Sequence, residues 1–107
     1  MLDRRIIDSI KKYLRALSEA GIEADFAVLY GSQARGDSGK WSDIDLLVVS
    51  EEFDNNLTRE KVNKLWHIAA FTDCRIEPLP CGREQWEMDD SNLIIEIARN
   101  EGMKVAV

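Results

Sequence analysis

Two acidic residues stand at the start of an apolar run near the middle of the chain. Asp43 and Asp45 flank Ile44 in the segment SDIDLLVVS. Because side chains alternate along a strand, the two carboxylates should project from one face, about 6–7 Å apart. Two acids at this spacing repel each other unless a cation lies between them, and Mg²⁺ binds carboxylate oxygens together with phosphate and water. The spacing therefore predicts a site for Mg²⁺ and phosphate.

A glycine–serine pair precedes these acids and has the chemistry to hold a phosphate group. Gly31 and Ser32 follow the apolar run FAVLY. Glycine lets the backbone approach a phosphate closely, and Ser32 offers a hydroxyl. The amides of a following helical turn can meet anionic oxygens, and Arg35 would add a bidentate contact. The pattern is not that of a P-loop, which needs Gly-Lys-Ser/Thr after a longer glycine spacing.

A third carboxylate would complete a site for two metal ions. Glu77 lies in a candidate third strand and would reach the other acids if that strand pairs with the strand of Asp45. Asp73, where that segment begins, is the alternative, and the sequence leaves the choice open. Two metal ions about 4 Å apart hold the attacking and leaving oxygens of an in-line phosphoryl displacement. The third carboxylate could accept the proton of the incoming hydroxyl.

Each of these short motifs alone is more often structural than functional, but their combination between two strands favours function. Gly31-Ser32, ten intervening residues and then Asp43-Ile44-Asp45 resembles the signature of the DNA polymerase β-like nucleotidyltransferases. The longer string GSQARGD…SDIDLLV is similar to the minimal nucleotidyltransferase (MNT) subgroup in particular.

The resemblance implies transfer of a nucleoside monophosphate from an NTP, usually ATP, to an acceptor, with release of pyrophosphate. It implies that two Mg²⁺ ions are bound by the catalytic carboxylates Asp43, Asp45 and Glu77. It implies that the triphosphate is held by Gly31, Ser32 and Arg35. Family members often carry Asp at the position of Glu77.

Small proteins of this kind resemble the antitoxin half of HEPN–MNT toxin–antitoxin pairs, in which the MNT protein adds AMP to a tyrosine of the toxin. The resemblance therefore implies a HEPN-type toxin as the protein partner and a hetero-oligomer as the assembly. Two alternatives stand beside it. The chain could neutralise its partner by sequestration with a vestigial site, or it could transfer a nucleotide to a small molecule or a tRNA end.

The apolar periodicity predicts the elements that position these residues. Helical spacing indicates helices over residues 2–20, 57–71, 82–89 and 91–100. Strands are predicted within 22–30 and over 43–50, 74–79 and 103–107. Asn56 or Thr58 could cap the second of these helices, and Pro78 and Pro80 make the third strand an edge strand or end it early.

This order of elements predicts an α/β (α+β) domain over residues 1–107. We expect a small mixed sheet with helices packed mainly on one face, which matches the polymerase β-like nucleotidyltransferase fold that the resemblance implies. The short connection between the first two strands indicates that they are antiparallel neighbours.

The composition of the chain bears on its binding partners and its location in the cell. The 107 residues carry a net charge of −6, which argues against non-specific nucleic-acid binding. The two cysteines have no metal-type spacing. The N-terminal segment MLDRRIIDSIKKYL has frequent charges and the pattern of neither a signal peptide nor a membrane span, so the cytoplasm is expected.

Overall fold

The computed structural model describes residues 4–35 and 43–107 of the chain, without the side chains of Ser32 and Arg35. One or two helices separate each pair of successive strands. In chain order the elements are α1 (Arg4–Glu19), β1 (Phe26–Tyr30), α2 (Ser32–Arg35), β2 (Ile44–Ser50), α3 (Glu52–Asn55), α4 (Arg59–Thr72), β3 (Ile76–Gly82), α5 (Arg83–Met88), α6 (Leu93–Glu101) and β4 (Met103–Ala106).

The four strands form one mixed sheet in the order β3-β2-β1-β4. β1 and β2 are antiparallel neighbours, as their short connection predicts, with Tyr30 opposite Asp45. β2 and β3 are parallel, because the connection through α3 and α4 is long enough for a crossover. β4 returns antiparallel to β1 and forms one edge, while β3 forms the other.

The two longest helices, α1 and α4, cover one face of the sheet. Ile44, Leu46 and Val48 of β2 point into this layer and are fully buried. The α1 residue Tyr13 is buried too, and its hydroxyl donates a hydrogen bond of 2.9 Å to the Leu65 carbonyl of α4. This layer confirms the prediction that helices pack mainly on one face.

The other face carries a smaller core. Its buried members are Val28, Leu47, Val49, Cys81, Ile95 and Ala98. Phe26 and Trp86 pack beside them with ring centroids 5.7 Å apart in an edge-to-face contact. The shorter helices α5 and α6 therefore cover part of this second face, and the side chains of Asp45 and Tyr30 project from it by strand alternation.

Three local features resolve or correct the predictions made from the sequence. Thr58, not Asn56, caps α4, since its hydroxyl accepts a hydrogen bond from the Lys61 amide. The acidic connection after β2 contains a short helix, α3, which buries Phe53. β3 lies at an edge as its prolines predict, but it runs through both of them to Gly82.

None of the helices in residues 4–35 and 43–107 combines the length and the hydropathy needed to span a membrane.

Candidate active site

Gly31 forms the turn between β1 and the short helix α2. Its φ is +77°, a region that side-chain-bearing residues adopt only at a cost. A Cβ at this position would overlap the carboxylate of Asp45. Both the conformation and the available space therefore require glycine here, and the turn brings the backbone directly against one of the predicted metal ligands.

The two central acids occupy the start of β2. Asp45 is half-buried within the strand, whereas Asp43 is exposed just before it. Ile44 between them is fully buried against the helices on the opposite face. Since Ile44 points into that core, alternation places Asp43 and Asp45 together on the other side of the sheet.

Glu77 joins these two acids through the pairing of β3 with β2. In the parallel register Glu77 is the partner of Asp45, and neighbouring strands lie about 4.8 Å apart. Burial raises the pKa of the Glu77 carboxyl, and the negative charges of Asp43 and Asp45 and a hydrogen bond with Asp45 raise it further. The structure thus brings three carboxylates together at one end of the sheet.

Asp73, the alternative third carboxylate, is engaged elsewhere. Its Oδ2 accepts a hydrogen bond of 2.7 Å from the Arg75 guanidinium, and its Oδ1 accepts from the Arg75 backbone amide. Hydrogen bonds from the Arg75 side chain lower the pKa of Asp73 to about 2, and a further one from Ser9 of α1 contributes. Asp73 therefore links the start of β3 to α1, whereas Glu77 faces the other acids.

Tyr30 is a member of this cluster that the sequence did not reveal. It is the cross-strand partner of Asp45 and is half-buried. Burial raises the pKa of Tyr30 to about 12, and the negative charges of Asp45 and Glu77 contribute. The phenol therefore stays neutral and can donate a hydrogen bond beside the carboxylates. The signal was its position as the last strand residue before Gly31, combined with antiparallel pairing to β2.

Two of the predicted phosphate contacts cannot be placed from their side chains. The backbone of Ser32 and Arg35 forms α2 directly after Gly31, but both side chains lie outside the described part of the structure. Residues 36–42, between α2 and Asp43, lie outside it as well. Of the three residues predicted to hold the triphosphate, the structure therefore describes the surroundings of Gly31 alone.

The carboxylates fit a magnesium–phosphate site better than a metal cage built by protein alone. In residues 4–35 and 43–107, no group of three or more His, Cys, Asp or Glu side chains is arranged to hold a metal ion. Mg²⁺ generally uses one or two protein carboxylates and completes its shell with substrate phosphates and water. The pair Asp43 and Asp45, next to the Gly31 turn, carries carboxylate oxygens of the kind that such a site uses.

Comparison with known proteins agrees with this chemistry. The protein family described as a nucleotidyltransferase domain matches residues 7–80, which include all three clustered carboxylates and the glycine turn. No curated protein sequence matches the chain.

Solved structures with the same fold include two toxin–antitoxin complexes. One, solved with AMP-PNP, has a TM-score of 0.63 at 18% identity over 92% of this chain and 71% of that chain. The other contains a tri-AMPylated Shewanella oneidensis HEPN toxin with an MNT antitoxin, with a TM-score of 0.56 at 15% identity over 95% of this chain and 70% of that chain.

A third match is a Sulfolobus solfataricus protein whose suggested activity is nucleotidyl transfer. Its TM-score is 0.63 at 15% identity, over 94% of this chain and 78% of that chain. At these identities the three structures establish the fold that the chain shares with them.

Proposed function

Since the chain belongs to the nucleotidyltransferase domain family, we propose that it transfers AMP from ATP to a HEPN-type toxin and is the antitoxin of that pair. One observation carries the proposal. Asp45 lies in register with Glu77 on one side, while the Gly31 turn packs against its carboxylate on the other. The Asp45 carboxylate thus lies next to a second acid, as a metal site requires, and next to a backbone turn of the kind that can hold a phosphate.

Asp43 and Asp45 would hold two Mg²⁺ ions together with the triphosphate, with Glu77 as the third carboxylate. When bound, such ions neutralise the phosphate charge and stabilise the attacking and leaving oxygens. The negative charges that raise the pKa of Glu77 are also the reason this cluster attracts cations. The Gly31 turn sets its backbone against the Asp45 carboxylate, so a phosphate held by these ions would lie next to the backbone of that turn.

The reaction is an in-line displacement at the α-phosphorus of ATP. The hydroxyl oxygen of the acceptor, a tyrosine in the proposed pair, forms a bond to that phosphorus, and the bond to the β-phosphate oxygen breaks. Pyrophosphate leaves with the electron pair. Glu77 accepts the hydroxyl proton, a role for which a raised pKa makes its carboxylate a stronger base.

Two complexes with the same fold support the proposed partner and nucleotide. One toxin–antitoxin complex holds an ATP analogue, and another holds a toxin that carries AMP. A HEPN-type toxin as acceptor and a hetero-oligomer as assembly follow from them by analogy with the fold.

A second candidate function is neutralisation of the partner by binding alone. The observation in its favour is Glu77 itself, which stands where members of the family that the sequence resembles often carry Asp. In that case the carboxylate cluster would be a remnant and the antitoxin would act by sequestration.

One experiment separates the two candidates. The chain is mixed with a HEPN-type toxin, ATP and Mg²⁺, and the intact mass of the toxin and its ribonuclease activity are both measured. Transfer predicts a gain in mass by whole AMP units and lasting inhibition after the chain is removed. The Asp43→Asn/Asp45→Asn variant should lose both effects.

A control variant removes the same number of negative charges away from the site. Asp8 and Asp90 are exposed and lie outside the carboxylate cluster. The Asp8→Asn/Asp90→Asn variant should therefore modify the toxin like the parent. Full neutralisation by the Asp43→Asn/Asp45→Asn variant without any gain in mass would favour sequestration and overturn the transfer proposal.

A further inference from the structure

The two edges of the sheet differ in their capacity to pair with another strand. On β3, the carbonyl of Arg75 accepts a hydrogen bond of 2.8 Å from the Ile44 amide of β2. Because backbone groups alternate between the two sides of a strand, the following odd-numbered residues of β3 also face β2. The residues that face outward are Ile76, Pro78, Pro80 and Gly82.

None of these four outward positions offers a free backbone donor. Both prolines lack an N–H group. The amide of Ile76 donates to the Asp73 carbonyl at 3.0 Å, and the amide of Gly82 donates to Oε1 of Gln85 at 3.2 Å. The β3 edge is therefore closed to strand addition, a common protection of natural sheet edges.

The β4 edge has no such protection. β4 pairs antiparallel with β1 from Met103 to Ala106 and has no proline. About half of the N–H and C=O groups of an edge strand point away from its neighbour. Among the described residues, no further strand lies on that outer side. An extended chain could therefore continue the sheet here.

A groove of about 330 Å³ lies between α1 and the C-terminal end of this edge. Its lining on α1 is formed by Lys11, Leu14, Arg15 and Ser18, and on the strand side by Ala106 and Val107. The four α1 residues are spaced so that they lie along one face of the helix. The groove thus joins the strand edge to one face of α1.

The charge of this groove is opposite to that of the chain as a whole. The sequence carries 20 acidic and 14 basic residues, yet the groove lining contains two basic side chains, Lys11 and Arg15, and no acidic one. Both side chains are exposed. The groove therefore complements an acidic partner.

We propose that the β4 edge and this groove bind an extended acidic segment of a partner polypeptide, which adds to the sheet as a fifth strand. Main-chain hydrogen bonds to β4 would supply affinity, and alternate side chains of the segment would reach Lys11 and Arg15. The alternation of backbone donors and acceptors matches a peptide rather than a nucleic acid. A second copy of this chain paired edge to edge would place two basic α1 stripes side by side, which is unfavourable.

The proposed surface is independent of nucleotidyl transfer. None of its residues belongs to the carboxylate cluster, and peptide binding requires neither ATP nor Mg²⁺. Failure of the transfer proposal would leave this one standing, and the converse also holds.

The test uses the full chain, labelled with ¹⁵N, and an amide-correlation NMR titration. The probes are a capped octapeptide of alternating glutamate and valine, its lysine counterpart and a single-stranded RNA dodecamer of uridine. We expect the glutamate peptide to shift the amides of β4 and of α1 near Arg15. Lys11→Glu/Arg15→Glu should weaken this binding by about tenfold or more, because it reverses two charges at the contact.

The matched control changes the same charge on the same helix outside the groove. Arg4 and Lys12 are exposed, and Arg4→Glu/Lys12→Glu should bind the glutamate peptide within about twofold of the parent. Absence of shifts at β4 with the glutamate peptide, or equal shifts with the lysine peptide, would overturn the proposal. Shifts with the RNA alone would assign the groove to nucleic acid instead, and concentration-dependent shifts without any probe would assign it to a second copy.

Discussion

Replacement of Gly31 by alanine should damage the fold and the carboxylate cluster together. At its φ of +77° a Cβ costs about 1–2 kcal/mol, of which about 0.4–1 kcal/mol is offset by the reduced entropy of the unfolded chain. The new methyl group would also overlap the Asp45 carboxylate. Relief of that overlap should cost about 1–3 kcal/mol more, as overpacking commonly does.

Gly21 offers a matched control for the backbone term. Its φ is +93°, and a Cβ there would meet no atom within 4 Å. Gly21→Ala should therefore lower the free energy of unfolding by about 1 kcal/mol and leave the site intact. The difference between the two variants isolates the contact between the glycine turn and Asp45.

The assay combines urea unfolding with the rate of AMP transfer to the toxin. Displacement of Asp45 by about 1 Å should lower the transfer rate of Gly31→Ala about 100-fold, whereas Gly21→Ala should match the parent. Equal unfolding free energies and equal rates for the two variants would refute the argument that Gly31 is required by its contact with Asp45.

Two further predictions concern β3. Asp73→Asn should remove about 2 kcal/mol of stability at neutral pH, because Arg75 holds the pKa of Asp73 at about 2 against an ordinary 3.8. This stability is present above the ordinary pKa of Asp73 and is lost as the pH falls toward its folded pKa. The free energies of unfolding of parent and variant should therefore converge between about pH 4 and 2. A difference that stays constant over this range would contradict the assignment. Pro78→Val/Pro80→Val should restore two outward N–H groups and cause concentration-dependent self-association in sedimentation experiments; a variant that stays monomeric argues against edge protection.

Period-two alternation explains why the centre of the fold could be predicted from the sequence. It placed Asp43 and Asp45 on one side of β2 and Ile44 on the other, as observed. The prolines identified β3 as an edge strand, although they do not end it, because both occupy positions whose backbone faces away from β2.

Other features depend on tertiary contacts that have no local signal. The four residues of α3 are too few to indicate a helix by periodicity, and the helix is stabilised by burial of Phe53. The second, smaller core was not predicted because α5 and α6 are short, and nothing in their own patterns says which face of the sheet they cover.

In the candidate site, too, some residues have a local signal in the sequence and others depend on tertiary contacts. The sequence predicted Glu77 as the third carboxylate but left Asp73 as an alternative. It could not decide between them because the register of a parallel strand pair depends on the geometry of the crossover connection. In the structure Glu77 lies opposite Asp45, and Asp73 accepts a hydrogen bond from Arg75. Tyr30 was missed because its proximity follows from the cross-strand register.

The most direct test of nucleotidyl transfer follows the two ends of ATP separately. The chain and a HEPN-type toxin are incubated with Mg²⁺ and ATP labelled at either the α- or the γ-phosphate. Transfer of AMP predicts that the toxin retains the α-label, that the γ-label leaves as pyrophosphate, and that Asp43→Asn/Asp45→Asn abolishes α-labelling. Retention of the γ-label, or α-labelling that survives in this variant, would contradict the assignment of Asp43 and Asp45 to the reaction.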